Sequence, residues 1–226
     1  AGLSLENIAI ENLGGATLTG GGRLDRSGGR LDLRLDAARL GDLARLAERI
    51  APGGATAAFA ARAGALSPAH LVVALEAQDG ALSRMDVSGE AGGTKIGANL
   101  TPAASGALRF SMKADAADSA ALAGQAGIAA LPIKGTGAGH VEAQGEGAIG
   151  QPMKTKAQML LAGVRASFDG DVTLAFDRAA AAGRLSVTTA DATPLVQMLG
   201  LGAGDLARRI PLDANGHLAS DGFEVL

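Results

Sequence analysis

Three times along this chain the same block recurs: an alternating strand ending in Asp-Ala, a short helix-like stretch, and a proline that introduces new alternation. The first copy runs Leu31-Asp-Leu-Arg-Leu-Asp36-Ala37, a helix-like Leu40 to Ile50, then Pro52. The second runs Leu108-Arg-Phe-Ser-Met-Lys-Ala-Asp115-Ala116, a helix-like Ala117 to Gly127, then Pro132. The third runs Leu185-Ser-Val-Thr-Thr-Ala-Asp191-Ala192, helix-like segments from Pro194 to Ile210, then Pro211. The aspartates stand 79 and 76 residues apart, the prolines 80 and 79. A fixed period of this length signals stacked units, each burying its apolar face against the next. The expected divisions are 1–51 (the end of one β unit with its helix), 52–131 and 132–210 (two complete units), and 211–226 (the start of another).

Between each proline and the next Asp-Ala the pattern is period-2 alternation broken by Gly, Asp or Pro. After Pro52 it predicts strands near 56–63, 69–77, 81–89, 94–101 and 107–114. After Pro132 it predicts them near 133–146, 153–162, 164–169, 171–177 and 183–189, about five strands per unit. Asp79-Gly80, Gly92-Gly93 and Asp169-Gly170 supply the turns that an antiparallel meander needs. Several strands are two-faced: Leu71, Val73 and Leu75 share one side, as do Leu108, Phe110 and Met112, and Val172, Leu174 and Phe176. Leu31, Leu33, Leu35, Leu185 and Val187 extend the same pattern, while Arg109, Ser111, Lys113, Asp171 and Thr173 fall between. One face therefore seeks an apolar neighbour and the other seeks water. Two folds satisfy this, a curved open sheet with a groove or a closed β-sandwich with the apolar faces packed together. Which face of an open sheet is concave stays open.

The helix-like stretches are short. Leu40, Leu43, Leu46, Ala47 and Ile50 form one stripe, with Asp42 as expected N-cap. Thr193-Pro194 pairs a cap with proline at the first helical position, and Asp118 and Asp205 occupy similar places. The recurrent acids thus read as strand ends and helix caps.

Composition excludes several classes. Twenty basic and 23 acidic residues, evenly spread, leave no polybasic patch for nucleic acid. No cysteine is present, so disulfide scaffolds and thiol sites are out. Five Phe with no Trp or Tyr leave the apolar surface to Leu, Val, Ile, Met and Ala. No apolar run reaches the ~18 residues of a membrane span, and no signal peptide opens the chain. Both ends fall in mid-pattern, which reads as a piece of a longer protein.

Catalytic motifs fail their structural tests. Gly145-Glu-Gly147-Ala-Ile-Gly150 spells the dinucleotide fingerprint, but Gln151-Pro152 and an alternating strand follow it in place of a helix. Gly135-Thr-Gly137-Ala-Gly139 has the same defect. His70, His140 and His217 lack a second ligand at metal spacing, and the Gly-His pairs at 139–140 and 216–217 read as repeat-equivalent surface positions. No G-x-S-x-G elbow anchors a triad. The expectation is a non-enzymatic chain with no cofactor and no metal.

The strand, Asp-Ala, Leu-rich helix and proline order, with the texture of Gly22-Arg-Leu-Asp-Arg-Ser-Gly-Gly-Arg-Leu-Asp-Leu-Arg-Leu-Asp36, resembles the AsmA family of bacterial envelope proteins. The segment from Val164-Arg-Ala-Ser-Phe-Asp-Gly through Ala192-Thr-Pro-Leu-Val-Gln-Met-Leu-Gly-Leu carries the likeness furthest. The resemblance implies an inner-membrane anchor outside this sequence and a periplasmic body like the repeating β-groove of bridge-like lipid transfer proteins. It implies phospholipid acyl chains as the partner, with other envelope proteins possible, and roles in outer-membrane assembly and envelope integrity. The residues expected to face lipid are the apolar sets named above. The rival expectation is a structural or adhesive β-repeat with a sealed core and no ligand.

Overall fold

The computed structural model describes residues 3–103, 106–128, 137–148, 150–175, 179–198 and 210–221. It is mainly β: one sheet of twelve antiparallel strands in strict chain order, β1 to β12, each hydrogen-bonded to its sequence neighbours. The strands are β1 (Leu3–Leu13), β2 (Ala16–Asp25), β3 (Gly28–Ala37), β4 (Ala69–Gln78), β5 (Ala81–Ala91) and β6 (Thr94–Pro102). Then come β7 (Leu108–Ala116), β8 (Gly139–Gly147), β9 (Pro152–Leu161), β10 (Val164–Leu174), β11 (Ala179–Thr189) and β12 (Leu212–Asp221). Among the described residues four short helices interrupt them: α1 (Gly41–Ile50) and α2 (Gly54–Arg62) between β3 and β4, α3 (Ser119–Gln125) between β7 and β8, and α4 (Thr193–Met198) between β11 and β12.

All four helices therefore stand at the same end of the strands, one connection in every four. The other connections at that end are tight turns, among them Gly92-Gly93 with φ of 54° and 77°. Positive φ at both central positions is the type I′ geometry whose twist matches a hairpin, and glycine adopts it without a Cβ clash. Alternating helix, far turn, tight turn and far turn makes a unit of four strands.

The core sits under the helices. One cluster joins Ala16, Ala37, Ala69 and Ala91 from the strand ends to Leu40, Ala44 and Ala63, with Leu43, Phe59 and Leu66 packed against it. A second joins Ala114, Ala116 and Leu161 to Leu122 and Ala123 of α3. Alanines dominate the strand ends because a helix backbone must approach the sheet closely there, and a larger side chain would hold it off. Buried hydroxyls tie the connections down. Ser119 Oγ donates to the Gly137 carbonyl (3.1 Å) and accepts from Ala162 N–H (3.0 Å). Ser67 Oγ accepts from Leu40 N–H (2.9 Å) and donates to the Ala63 carbonyl (2.6 Å).

The closed sandwich is not formed: the sheet is a single open layer with β1 and β12 as its edges. The accessible surface agrees. At 13275 Å² it exceeds the roughly 9,400 Å² of a compact monomer of this mass.

Four details of the sequence reading are corrected. Each unit holds four strands where about five were expected, for two reasons. Residues 56–63 fall in and just after α2, because alanine repeats carry no signal that separates period 2 from period 3.6, and alanine is the best helix former. Residues 164–169 and 171–177 do not form two strands; Gly170 lies inside β10, opposite Thr155 and Gly183. Pro52 accordingly introduces α2 and not a strand. In α1 the helix starts at Gly41 with no side-chain cap, Asp42 pairs instead with Arg45, and Ile50 is 74% exposed while Ala44 is buried. Asp118 does cap α3, accepting from Ala120 N–H at 2.9 Å. At α4 the cap is Asp191, whose Oδ1 accepts from Thr193 N–H at 2.8 Å. Pro132 and Asp205 lie outside the described residues.

Candidate functional site

Residues directly opposite one another in an antiparallel sheet share a face, so the register decides which side chains meet. At mid-strand the row passes from Leu33 to Val73, Val87, Ala98, Met112, Ala143, Ala157, Phe168 and Leu185. The row toward the helices runs Leu35, Leu71, Gly89, Ile96, Ala114, Val141, Met159, Ala166 and Val187. The row toward the far turns holds Leu31, Leu75, Met85, Leu100 and Phe110. Among the described residues no register position on this face carries a charge, an imidazole or an amide. Its few polar side chains, Thr94, Thr155, Thr189 and Ser220, are hydroxyls.

The expected lipid-facing residues fall on this one face. Leu31, Leu33, Leu35, Leu71, Val73, Leu75, Leu108, Phe110, Met112, Val172, Leu185 and Val187 are on it, and Leu174 takes the matching position opposite Ala179. Phe176 lies outside the described residues. Sequence reasoning missed Val87, Ile96, Leu100, Val141 and Phe168, whose strands mix Gly and Ala into the alternation and blur it. A tight turn at Ala91-Gly-Gly-Thr94, which pairs its flanking residues, was the signal that would have set their parity.

The helices cover the last row of the face and reach the next row, where Ala114 is buried and Leu35, Ile96, Val141 and Met159 pack against the helix clusters. Ala69, Thr94, Leu161 and Val164 are wholly buried in the last row, Leu31 and Met153 are buried further along, and most other large side chains beyond are half-buried, with Met112 at 41% and Leu82 at 39%. Two aromatic rings lie flat on glycines. A Cβ on Gly145 would stand 2.6 Å from Phe110 Cε1, and one on Gly170 would stand 2.8 Å from Phe168 Cζ. The rings thus fold down onto the sheet in place of rising from it.

The opposite face is a ladder of charges. Arg30 reaches Asp32 and, across to β4, Glu76 (2.9 Å); Arg109 reaches Glu146 (2.8 Å); Lys154 reaches Asp171 (2.9 Å). Arg84 and Asn99 hold the Asp86 carboxyl below its ordinary pKa, as Arg30 does for Asp32. His70 Nδ1 lies 2.8 Å from Asp36 Oδ1, and His140 Nδ1 lies 2.7 Å from Asp115 Oδ1. The repeat-equivalent histidines are therefore His70 and His140, and not His140 and His217, each opposite the aspartate of the preceding unit; His217 lies opposite Arg184. Among the described residues no cluster of three or more His, Cys, Asp or Glu is placed to hold a metal. The largest described hollow, about 670 Å³, also opens on this side, walled by Asp86, Asn99, Lys113, Glu142, Gln144 and Lys156. The apolar face is distinguished by exposure and chemistry, not by a cavity.

The chain matches no family model, no curated protein and no solved structure. Function must therefore be argued from the two faces. Among the described residues no helix is long and apolar enough to cross a membrane.

Proposed function

We propose that this chain is a non-enzymatic segment of an AsmA-like cell-envelope protein that shields phospholipid acyl chains on its apolar sheet face and guides them between the inner and outer membranes. On this reading it lies in the periplasm, held to the inner membrane through the parent protein, and serves outer-membrane assembly and envelope integrity. One observation carries the proposal: an uncharged, apolar face continuous across twelve strands that, among the described residues, is left uncovered beyond its helix-lined end. Monomers rarely leave contiguous apolar patches beyond a few hundred Å² in water, and larger ones mark a site of interaction.

The energetics suit sliding better than capture. Each methylene removed from water contributes about 0.8 kcal/mol, so a chain of about sixteen carbons is held firmly. Leu, Val, Ala and Gly offer it no polar group that would fix one position. The strand direction also fits: beyond the helix-covered row, about six residues at ~3.3 Å each give roughly 20 Å, comparable with one leaflet of a ~30 Å hydrocarbon core.

Site-specific photo-crosslinking in an envelope-bearing host tests the proposal. A photoreactive residue at Val73 or Phe110 is expected to capture phospholipid, and one at Arg109 is not. Absence of lipid at every position would sink the reading.

A further inference from the structure

Of four hollows that the described residues line, three carry acids in their walls: Asp86 and Glu142 in one, Glu146 and Asp169 in the next, Asp25 in the third. The fourth, about 340 Å³, lies on the polar face of β9 to β11 and has no carboxylate in its wall. The register sets its side chains in a grid. Gln158, Ser167 and Ser186 stand side by side in one row, and Leu160, Arg165 and Thr188 in the next. Strands ~4.8 Å apart and a two-residue step of roughly 6.6 Å make this grid about 10 Å by 7 Å, room for one phosphate and the first atoms of its ester.

The donors of the grid are idle. Arg165 is exposed and, among the described residues, has no ion pair. The side chains of Gln158, Ser167, Ser186 and Thr188 likewise have no hydrogen-bond partner among them. Acids border the hollow without entering it. Glu142, opposite Gln158, lies 3.6 Å from His140 Nε2, and Asp115 lies 2.7 Å from His140 Nδ1. Asp169, one row beyond Ser167, faces Lys156 at 3.6 Å. Asp213 stands past Thr188 on β12, two strand spacings or roughly 10 Å from Arg165, where salt screens most of its pull. The hollow therefore keeps an uncompensated positive charge among neutral donors.

We propose that this hollow binds the phosphate of a water-soluble phosphomonoester. The guanidinium fork can hold two phosphate oxygens at once, and three hydroxyls and an amide can donate to the rest of the group. That is more than the two oxygens of a carboxylate can use, and it suits the three terminal oxygens of a phosphate. Leu160 is the one apolar side chain in the two rows, so the remainder of the ligand meets a polar surface. The site lies on the face opposite the proposed acyl-binding one, and it stands or falls independently of the lipid reading.

Isothermal titration calorimetry of the full chain at low ionic strength tests this with three probes: glycerol 3-phosphate, glycerol and acetate. Glycerol 3-phosphate is expected to bind at one site, and glycerol and acetate at least tenfold more weakly. Arg165→Gln is expected to weaken glycerol 3-phosphate at least tenfold, and Ser186→Ala about two- to fivefold. Arg34, also exposed and without an ion pair among the described residues, has Asp32 and Asp36 on either side of it along β3; Arg34→Gln is expected to change nothing. Urea midpoints measured alongside are expected to stay at the wild-type value, since Arg165 and Arg34 are exposed. Binding that survives Arg165→Gln, or that falls equally with Arg34→Gln, overturns the site in favour of diffuse charge. Acetate binding as tightly as glycerol 3-phosphate overturns the phosphate assignment. Binding to phosphatidic acid vesicles with none to glycerol 3-phosphate overturns the water-soluble ligand, and no binding of any probe overturns the proposal outright.

Discussion

Phe110 and Gly145 form one structural element from two residues. The ring occupies the space that a Cβ at position 145 would need, and Lys154 O would be only 2.7 Å from that Cβ. Gly145→Val should therefore lift the ring and strain β8 against β9, costing about 1–3 kcal/mol. Urea unfolding is expected to show a lower midpoint with an unchanged slope. Asp115 makes a second residue-level case. The His140 hydrogen bond, helped by Lys113, holds its carboxyl below the ordinary aspartate value against an opposing push from burial. A depressed carboxylate stabilises the fold above its unfolded pKa, and that contribution fades as pH falls through the folded value. The loss thus lies on the acid side, below about pH 4. Asp115→Asn should flatten the acid limb of a Tm-against-pH profile and leave its shape above pH 5 unchanged.

At the scale of elements, α3 is the piece whose removal matters most. Seven residues are too few to hold a helix by propensity, so its contacts must do so. Ser119 bridges Gly137 and Ala162, and Gln125 Nε2 reaches the carbonyls of Ala65, Ala91 and Gly92 at 3.0–3.1 Å, joining α3 to the turn of the preceding unit. Ser119→Ala leaves the Ala162 amide without its partner, while the Gly137 carbonyl keeps the Ser119 N–H, and is expected to cost about 1–3 kcal/mol in thermal or urea unfolding. Gln125→Ala is expected to speed amide hydrogen exchange around Gly92 and α3 with little effect at β10–β11. The alternation of Leu31 to Leu35, Leu71 to Leu75 and Leu108 to Met112 made their strands legible in sequence. α2 was not legible, because Ala57, Ala58, Ala60 and Ala61 fit either period and only packing against Ala63 and Leu40 selects the helix. β10 was misread for the converse reason: Asp169-Gly170 permits a turn, but hydrogen-bonding partners on both sides favour a continuous strand.

For the whole molecule, each strand packs chiefly against its sheet neighbours, so stability is distributed along the sheet and is not pooled in one core. Hydrogen exchange is expected to be graded, with β1 and β12 least protected and β6 to β9 most. Uniform protection across all twelve strands would contradict that expectation. The uncovered face makes a further demand. An environment-sensitive apolar dye should bind the native chain, and Val73→Asp, which sets a carboxylate in the middle row, should weaken dye binding and phospholipid retention together. Because Val73 is only half-buried, the fold is expected to survive that change.

Sequence alone determined the two-faced strands, and with them the candidate lipid-facing residues, because side chains alternate along any extended chain whatever surrounds it. It also marked Asp36 and Asp115 as strand ends and Asp118 as a cap, but not the place of Asp42. Only the tertiary structure decided whether the apolar faces would close on each other or stay open, how many strands a unit holds, and which histidine faces which aspartate. Those outcomes depend on register and on the competition between a turn and a neighbouring strand for the same backbone hydrogen bonds. Such energies arise between residues tens of positions apart, and no local pattern of residues contains them.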